Sequence, residues 1–437
     1  MLAATQVSAQ NNITSSPYSL FGIGDPLEFN NTMGLSMGDV KYATSRPFYL
    51  NSANPASYSS LKATTFSLGA MVNRTRTFNQ SSSQDNDNGT LRYFGIGIPI
   101  NKKIGMSLGS KPFTSFGYGI QQDEVSDTHS GAYTRYQGEG GMSIAYAGLG
   151  YEIYSDSVHR LSLGANANYY FGNKEQSTIN NLETVPGALS SAFVNSYITG
   201  DFAFDLGMLY SLDLQNLTGG DGPIESTLTF GGTYALANHL KTKFESFAGS
   251  YYYNTQRDFV YSDTLSYAKD TSSIYLPTRY GLGVNYQLYN RTTKDLLILE
   301  ANYEYFGWSD LKLNGVSSGL SNSTQVSFGM QFVPDASKSR GFFEILRYRI
   351  GGKYKTTRIN LGGTPVDDYS VSMGVGIPLV KSKSIYPSSS TIDIGVAVGN
   401  RGTENNGLIR EQYTNIYVGL SFSPNFWDKW FEKRKIN

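Results

Sequence analysis

The chain has 437 residues with 35 basic and 35 acidic side chains, so its formal charge of zero gives no electrostatic reason to expect nucleic acid as a partner. It has no cysteine, as expected for an envelope protein that does not use disulfides. The 47 glycines, 33 tyrosines and 24 phenylalanines are typical of long strands, tight turns and aromatic belts. They favour one large β architecture over several soluble domains.

Residues 1–10, MLAATQVSAQ, are similar to the end of a secretory signal, because Val7-Ser8-Ala9 is a small-residue cleavage site. We therefore expect a signal-peptide remnant, with an ordinary disordered terminus as the alternative. Residues 11–62 have no sustained periodicity: they are too apolar for a linker and too broken for a strand. We predict that they form an N-terminal hatch, or plug, that packs inside a barrel.

From Ala63 onward, apolar and polar residues alternate with period two, which indicates strands with one apolar face. Most runs reach the roughly 9–11 residues that a tilted membrane strand needs. The sequence therefore predicts an all-β fold, a transmembrane antiparallel β-barrel of about 14 strands over residues 63–422. The strands are expected near 63–78, 90–100, 104–121, 136–153, 158–173, 197–212, 226–247, 273–289, 295–313, 321–334, 344–359, 367–379, 388–400 and 411–422.

The connections between these strands differ on the two sides of the barrel. One side has mostly short turns, such as 101–103 and 155–157. The other side is expected to carry long polar loops, at 79–89, 122–135, 174–196, 248–272 and 401–410. This asymmetry is typical of the outer membrane of a Gram-negative bacterium, with extracellular loops and both termini in the periplasm. Residues 423–437 are expected to form a periplasmic amphipathic basic tail, or else a frayed terminus.

Several segments, in this order, resemble the FadL-type outer-membrane transporters of long-chain fatty acids and aromatic hydrocarbons. Gly34–Ala56 resembles the hatch of that family, which ends in Asn-Pro-Ala. GMSLGSKPFTSFGYGI resembles its kinked third strand, and LEANYEYFGWSDL resembles a later strand that ends in Trp-Ser. The opening Ser16–Ser19 and the ending WFEKRK are similar to members from Bacteroidota.

The resemblance implies that a hatch fills the lumen and that a kink in the third strand opens the wall, so that an apolar ligand leaves sideways into the membrane. The hatch motif is Asn54, Pro55 and Ala56, which would otherwise be an ordinary turn. The candidate lateral-gate residues are Ser110, Lys111, Pro112, Phe113, Gly117 and Gly119. The alternative for them is a bulged strand end without a gate.

The candidate ligand-pocket residues are Phe21, Leu35, Phe48, Leu50, Ile144, Tyr146 and Arg279. By alternation, several charged residues are also expected in the lumen: Asp205, Arg279, Glu300, Glu304, Arg347, Arg349 and Asp393. In one interpretation Arg279 or Arg349 binds a ligand carboxylate. In the other, these cations pair with the luminal carboxylates and neutralise the lumen.

The three histidines, His129, His159 and His239, are isolated, and no metal-ligand spacing, phosphate-binding loop or nucleophile motif is present. We expect neither catalysis nor a cofactor or metal. Two functions remain open. The first is passive uptake of a hydrophobic small molecule through a hatch pocket and a lateral wall opening. The second is a non-transporting accessory barrel in a larger outer-membrane protein complex for export or barrel assembly. Membrane lipid and lipopolysaccharide are expected partners in both.

Overall fold

A computed structural model describes residues 16–28, 30–79, 82–123, 132–182, 188–219, 222–253, 259–335, 341–379 and 390–423. The predicted signal-peptide remnant, and the tail from residue 424 onward, lie outside the described residues. All of the named strands belong to one antiparallel sheet, in which the last strand pairs with the first long one. In the described part of the chain, no helix has the length and apolar character needed to cross a membrane.

The N-terminal part has little regular structure. It contains 3-10 turns at Pro17–Leu20 and Pro55–Ser60, the short strand β1 (Asp25–Pro26) and the helix α1 (Thr32–Leu35). The strands that follow are β2 (Thr65–Phe78), β3 (Ser83–Pro99), β4 (Ile104–Asp123), β5 (Tyr133–Ser155), β6 (His159–Asn181), β7 (Ser190–Asp213), β8 (Ile224–Ala235), β9 (Asn238–Tyr253), β10 (Phe259–Leu276), β11 (Arg279–Asn290), β12 (Leu296–Phe306), β13 (Lys312–Leu313), β14 (Val316–Ser317), β15 (Ser323–Val333), β16 (Arg347–Leu361), β17 (Thr364–Pro378), β18 (Thr391–Gly402) and β19 (Arg410–Phe422).

The other helical elements are short. They are α2 (Leu214–Thr218) and the 3-10 turns Trp308–Asp310, Phe342–Ile345 and Asn405–Gly407.

The wall of the barrel has 14 strands, which confirms the predicted fold. Strands β8 and β9 together count as one wall strand, because both pair with β7, each with a different part of it. Strands β10 and β11 occupy the next position in the same way, since they pair with β9 and β8 respectively. The sheet closes between β19 and β2 through a register that runs from Arg410↔Phe78 to Phe422↔Phe66.

The alternation in the sequence corresponds to the two faces of this wall, because successive residues of a strand point outward and inward in turn. In β7, Phe202 and Phe204 are exposed on the outside, whereas Ala203 between them is buried. The same pattern recurs around the barrel and produces an apolar outer surface. An apolar outer band over a polar interior is the arrangement that places a barrel in lipid.

Much of the predicted loop sequence forms strand instead. Residues 83–89 pair with β2, 174–181 pair with β5, and 259–272 pair with β9. Asparagine, serine and aspartate have low strand propensity, but pairing with an existing neighbour strand outweighs that preference. As a result β7 has 24 residues and β12 has 11, so the wall is taller on one side of the barrel.

Candidate functional site

The N-terminal segment, residues 16–28 and 30–64, lies inside the barrel because it bonds to strands on different sides of the wall. The backbone amide of Gly38 donates to the hydroxyl of Ser372 on β17 at 2.8 Å. The side-chain amide of Asn54 donates to the carbonyl of Met208 on β7 at 3.1 Å. Most side chains between Asn30 and Ser59 are buried.

The Asn-Pro-Ala motif forms a capped turn and also contacts the wall. The side-chain oxygen of Asn54 accepts from the amide of Ala56 at 3.1 Å, and its NH2 group donates to the carbonyl of Tyr42 at 2.7 Å. Pro55 packs directly against wall glycines on β6 and β7. The turn interpretation and the wall-contact interpretation therefore both describe this motif.

A ring of glycines lets the N-terminal segment approach the wall closely. At Gly105, an added Cβ would lie 1.9 Å from the carbonyl oxygen of Tyr58, and at Gly351 it would lie 2.1 Å from the carbonyl carbon of Met37. We call these positions the glycine collar: Gly105, Gly150, Gly164, Gly207, Gly231, Gly329, Gly351, Gly374, Gly395 and Gly419. Because any side chain there would overlap the segment, the lumen at this level is filled by the segment itself.

Ion pairs hold the N-terminal segment to the wall. The ammonium of Lys41 lies 2.9 Å from Asp39 and 2.9 Å from Glu304 of β12. Burial alone would lower the pKa of Lys41, but the two carboxylates outweigh that effect and raise it well above its usual value. Next to this pair, Glu300 accepts hydrogen bonds from the amide of Ala43 and the hydroxyl of Thr44.

The predicted luminal charges are mostly neutralised by one another. Arg349 donates to Asp393 at 2.6 Å, and Arg279 lies 3.7 Å from Asp205. Glu304 is paired with Lys41 rather than with a wall arginine. The interpretation in which the charges neutralise the lumen is therefore the one that these contacts favour. The role of Lys41 had no signal in the sequence, because it lies in a segment without periodicity.

The candidate gate residues lie at a seam between β3 and β4. These two strands pair only from Phe94↔Ser110 to Pro99↔Gly105. Beyond Ser110, β4 diverges from β3, and its register with β5 shifts between Pro112 and Thr114. The predicted kink thus coincides with an irregular strand and with the point where the pairing between β3 and β4 ends.

The N-terminal segment covers this edge of β4 from the inside. Strand β1 pairs with β4, and the amide of Leu27 donates to the carbonyl of Phe113 at 2.9 Å. The hydroxyl of Ser19 donates to the carbonyl of Gly117 at 2.9 Å and accepts from its amide at 3.1 Å. Lys111 donates to the carbonyl of Ser52, whereas a side chain at Gly119 would meet open space.

The candidate pocket residues do not converge on one cavity. Leu35 packs with Met71 and Tyr417 in one apolar cluster, and Leu50 packs with Tyr58 in another. Ile144 and Tyr146 belong to a third cluster, against which Phe21 packs. Phe48 is partly buried, and Arg279 pairs with Asp205 as described above.

The lumen does contain a cavity, and it is polar. Its volume is about 140 Å³. Charged residues from the N-terminal segment and from five wall strands line it: Asp25, Glu28, Arg92, Lys353, Lys355, Arg358, Asp368, Arg401 and Glu411. None of the seven candidate pocket residues lines this cavity. We call it the polar cavity.

Comparison with known proteins places this architecture in a family. The sequence model of the BamG family matches residues 1–437. The chain belongs to the BamG family. No curated protein matches the sequence.

Solved structures share the fold of this BamG-family chain. The CymD monoaromatic hydrocarbon channel has a TM-score of 0.55 and 11% identity, over 92% of this chain and 99% of that one. The Ralstonia pickettii toluene transporter TbuX has a TM-score of 0.55 and 13% identity, over 91% and 99%. A Pseudomonas aeruginosa FadL homologue has a TM-score of 0.53 and 12% identity, over 91% and 98%. The fold is therefore that of the FadL-type barrels, as predicted. The assignment to Bacteroidota stays a prediction.

Proposed function

We propose that this protein is a non-transporting accessory barrel subunit of a larger outer-membrane protein complex for protein export or barrel assembly. The observation that carries the proposal is the close docking of the N-terminal segment on the glycine collar. Because the segment packs against ten wall glycines at this level, a solute can pass here only if part of the segment moves away from the wall. The name of the family, BamG, points to the same role of an accessory subunit.

Moving the segment is energetically unfavourable. Displacement would separate Lys41 from Glu304 and leave Glu300 without the donors on Ala43 and Thr44. Breaking a buried charge pair by removing one partner typically costs about 3–5 kcal/mol. An apolar ligand offers nothing to these charged groups in return, because it forms neither hydrogen bonds nor ion pairs.

In this proposal the outer surface of the barrel carries the function, because it is the surface that binds the partner. Exposed apolar side chains such as Val72, Val371 and Val398 provide a surface that contacts membrane lipid, lipopolysaccharide and a partner barrel. The filled lumen then makes the wall rigid and keeps that surface in one shape.

Passive uptake of a hydrophobic small molecule is the second candidate. Structural neighbours are described as hydrocarbon channels and a toluene transporter. The end of the β3–β4 pairing at Ser110 supports it too, since a lateral exit requires such a break between neighbouring wall strands.

The first test is purification of the natively expressed protein in a gentle detergent, with mass spectrometry of both lipids and co-purifying proteins. We expect a stoichiometric set of large envelope proteins. A barrel that purifies alone and carries a bound fatty acid or aromatic hydrocarbon would overturn the proposal in favour of uptake.

A covalent lock gives the second test, because the chain has no cysteine of its own. The hydroxyls of Ser59 and Ser162 lie 2.9 Å apart and join the N-terminal segment to β6. After oxidation, the double variant Ser59→Cys/Ser162→Cys should keep its co-purifying envelope proteins and its biological activity. The matched control is the same variant after reduction. Loss of activity only in the oxidised form would show that the segment has to move, and would contradict an accessory role.

A further inference from the structure

We propose that the polar cavity is a binding site for an oxyanion of the phosphate class, held by Arg92, Lys355 and Arg358. The cavity lies between the N-terminal segment and strands β3, β16, β17, β18 and β19. This site is independent of the accessory function proposed above.

All four carboxylates that line the cavity are already paired. Arg401 lies 2.6 Å from Asp25 and 2.7 Å from Glu411. Lys353 pairs with Glu28 and lies 4.0 Å from Asp368. Arg401 and Lys353 therefore each lie within ion-pair distance of two of the four lining carboxylates.

The other three cations, Arg92, Lys355 and Arg358, form no ion pair within the part of the chain that the structure describes. They project into the cavity from β3 and β16, on both sides of the paired groups. The lining as a whole has five cations and four carboxylates, which leaves one positive charge in excess. Buried charge of one sign is unfavourable unless a counter-ion reaches it.

The two arginines also have N–H groups without an acceptor among the described residues. In Arg358, Nη2 donates to the carbonyl of Phe21 at 3.3 Å, whereas Nε and Nη1 have no partner. In Arg92, Nη2 donates to the carbonyl of Glu28 at 2.7 Å, whereas Nε has no partner. Both residues are deeply buried, at 3% and 4% exposure. Leaving buried donors without an acceptor is costly, so these groups call for a ligand with several acceptor oxygens.

The size and the charge of the cavity favour phosphate over a carboxylate. Its 140 Å³ is several times the roughly 10–15 Å³ that one ordered water requires. Arginine forks and a lysine ammonium together suit the oxygens of a phosphate group, which offers more acceptors and more negative charge than a carboxylate. Free phosphate and the phosphate of a lipid headgroup share this chemistry.

Isothermal titration of the purified full-length barrel in detergent tests the site. One arm uses inorganic phosphate and the other uses short-chain phosphatidic acid, with sodium acetate and sodium chloride at matched ionic strength as references. Saturable binding of inorganic phosphate would identify the free ion as sufficient. Binding of phosphatidic acid alone would assign the site to a lipid headgroup. Equal affinity for acetate, or no saturable binding of either probe, would overturn the proposal.

The variants Arg358→Gln and Lys355→Gln should each weaken phosphate binding at least about tenfold, because each removes charge-assisted hydrogen bonds. Arg74→Gln is the matched control, since Arg74 is exposed and pairs with Asp85 and Asp87 away from the cavity. The heat-induced mobility shift on electrophoresis verifies that every variant is a folded barrel. If Arg358→Gln does not fold, Lys355→Gln decides the question, and wild-type affinity in that variant would refute the site.

Discussion

The ammonium of Lys41 lies 2.9 Å from the carboxylate of Glu304 and joins the interior segment to the wall of the barrel. Lys41 and Asp39 are buried, and Glu304 is partly buried. We expect Lys41→Met to lower the free energy of unfolding by about 3–5 kcal/mol, since a buried and a partly buried carboxylate lose their shared cation. The temperature of the heat-induced mobility shift measures this change.

The matched control for this prediction is Lys103→Met, in an exposed turn. A double variant, Lys41→Met/Glu304→Gln, should recover part of the lost stability because one unpaired charge is removed. An unchanged transition temperature in Lys41→Met would show that the pair does not stabilise the segment.

The glycine collar makes a steric prediction. In Gly164→Ala, the new Cβ would lie 2.4 Å from the backbone carbon of Pro55, so the N-terminal segment must shift. We expect a loss of about 1–3 kcal/mol and faster proteolysis of that segment. Gly232→Ala is the control, because its Cβ would lie 3.8 Å from the nearest atom, on Leu282. Equal protease resistance in the two variants would argue against close docking.

Asp25 makes stability depend on pH. Burial alone would raise its pKa, but the nearby cations, first Arg401 and then Arg358 and Lys355, together outweigh burial, and the pKa is lowered below its ordinary value of 3.8. A lowered pKa in the folded state contributes stability that is fully present above the ordinary value and is lost as the pH falls through the folded-state value. Asp25→Asn should therefore lower the transition temperature at pH 7, and the difference from wild type should vanish in strong acid.

The exposed Asp85 provides the comparison for that experiment. Asp85→Asn should change the transition temperature little at either pH, because surface pairs contribute roughly 0–1 kcal/mol. A difference between Asp25→Asn and wild type that persists or grows in strong acid would contradict the assignment to this ion pair.

Ser19 satisfies both backbone groups of Gly117 at the seam. We expect Ser19→Ala to leave them unpaired, at about 1–3 kcal/mol, and to speed amide exchange at Gly117 roughly tenfold. Hydrogen exchange with mass spectrometry over β4 measures the effect. Ser45→Ala is the control, since Ser45 bonds to Ser60 within the same N-terminal segment. Similar exchange in the two variants would mean that Ser19 does not protect the seam.

The strands and their number could be predicted from the sequence because apolar residues alternate regularly along each wall strand. In β7, Phe202, Phe204 and Leu206 face outward in a strict alternation that any reader of the sequence can count. Luminal charges such as Asp205 and Arg349 followed from the same alternation. The ends of the strands could not be predicted from this alternation. Polar residues such as those at 174–181 are held in strands by pairing with neighbouring strands rather than by their own propensity.

The contacts of the N-terminal segment could not be predicted from the sequence. The segment has no period, so nothing marks Lys41 as the partner of Glu304 or Ser19 as the partner of Gly117. Among many glycines, those of the collar are distinguished only by what lies opposite them in space. Apart from Arg279, the predicted pocket residues were chosen for apolar character, and apolar residues inside this barrel pack against each other in separate clusters.

The closure between β19 and β2 limits the routes by which the N-terminal segment can reach the lumen. The interior segment immediately precedes β2, yet it bonds to Met208, Glu300 and Ser372, which are synthesised much later. Once β19 has paired with β2, the wall leaves no gap between the two ends of the sheet through which a folded plug could enter. An N-terminal segment that docks after this closure has to enter through an open end of the barrel, whereas one that docks earlier is enclosed when β19 pairs with β2.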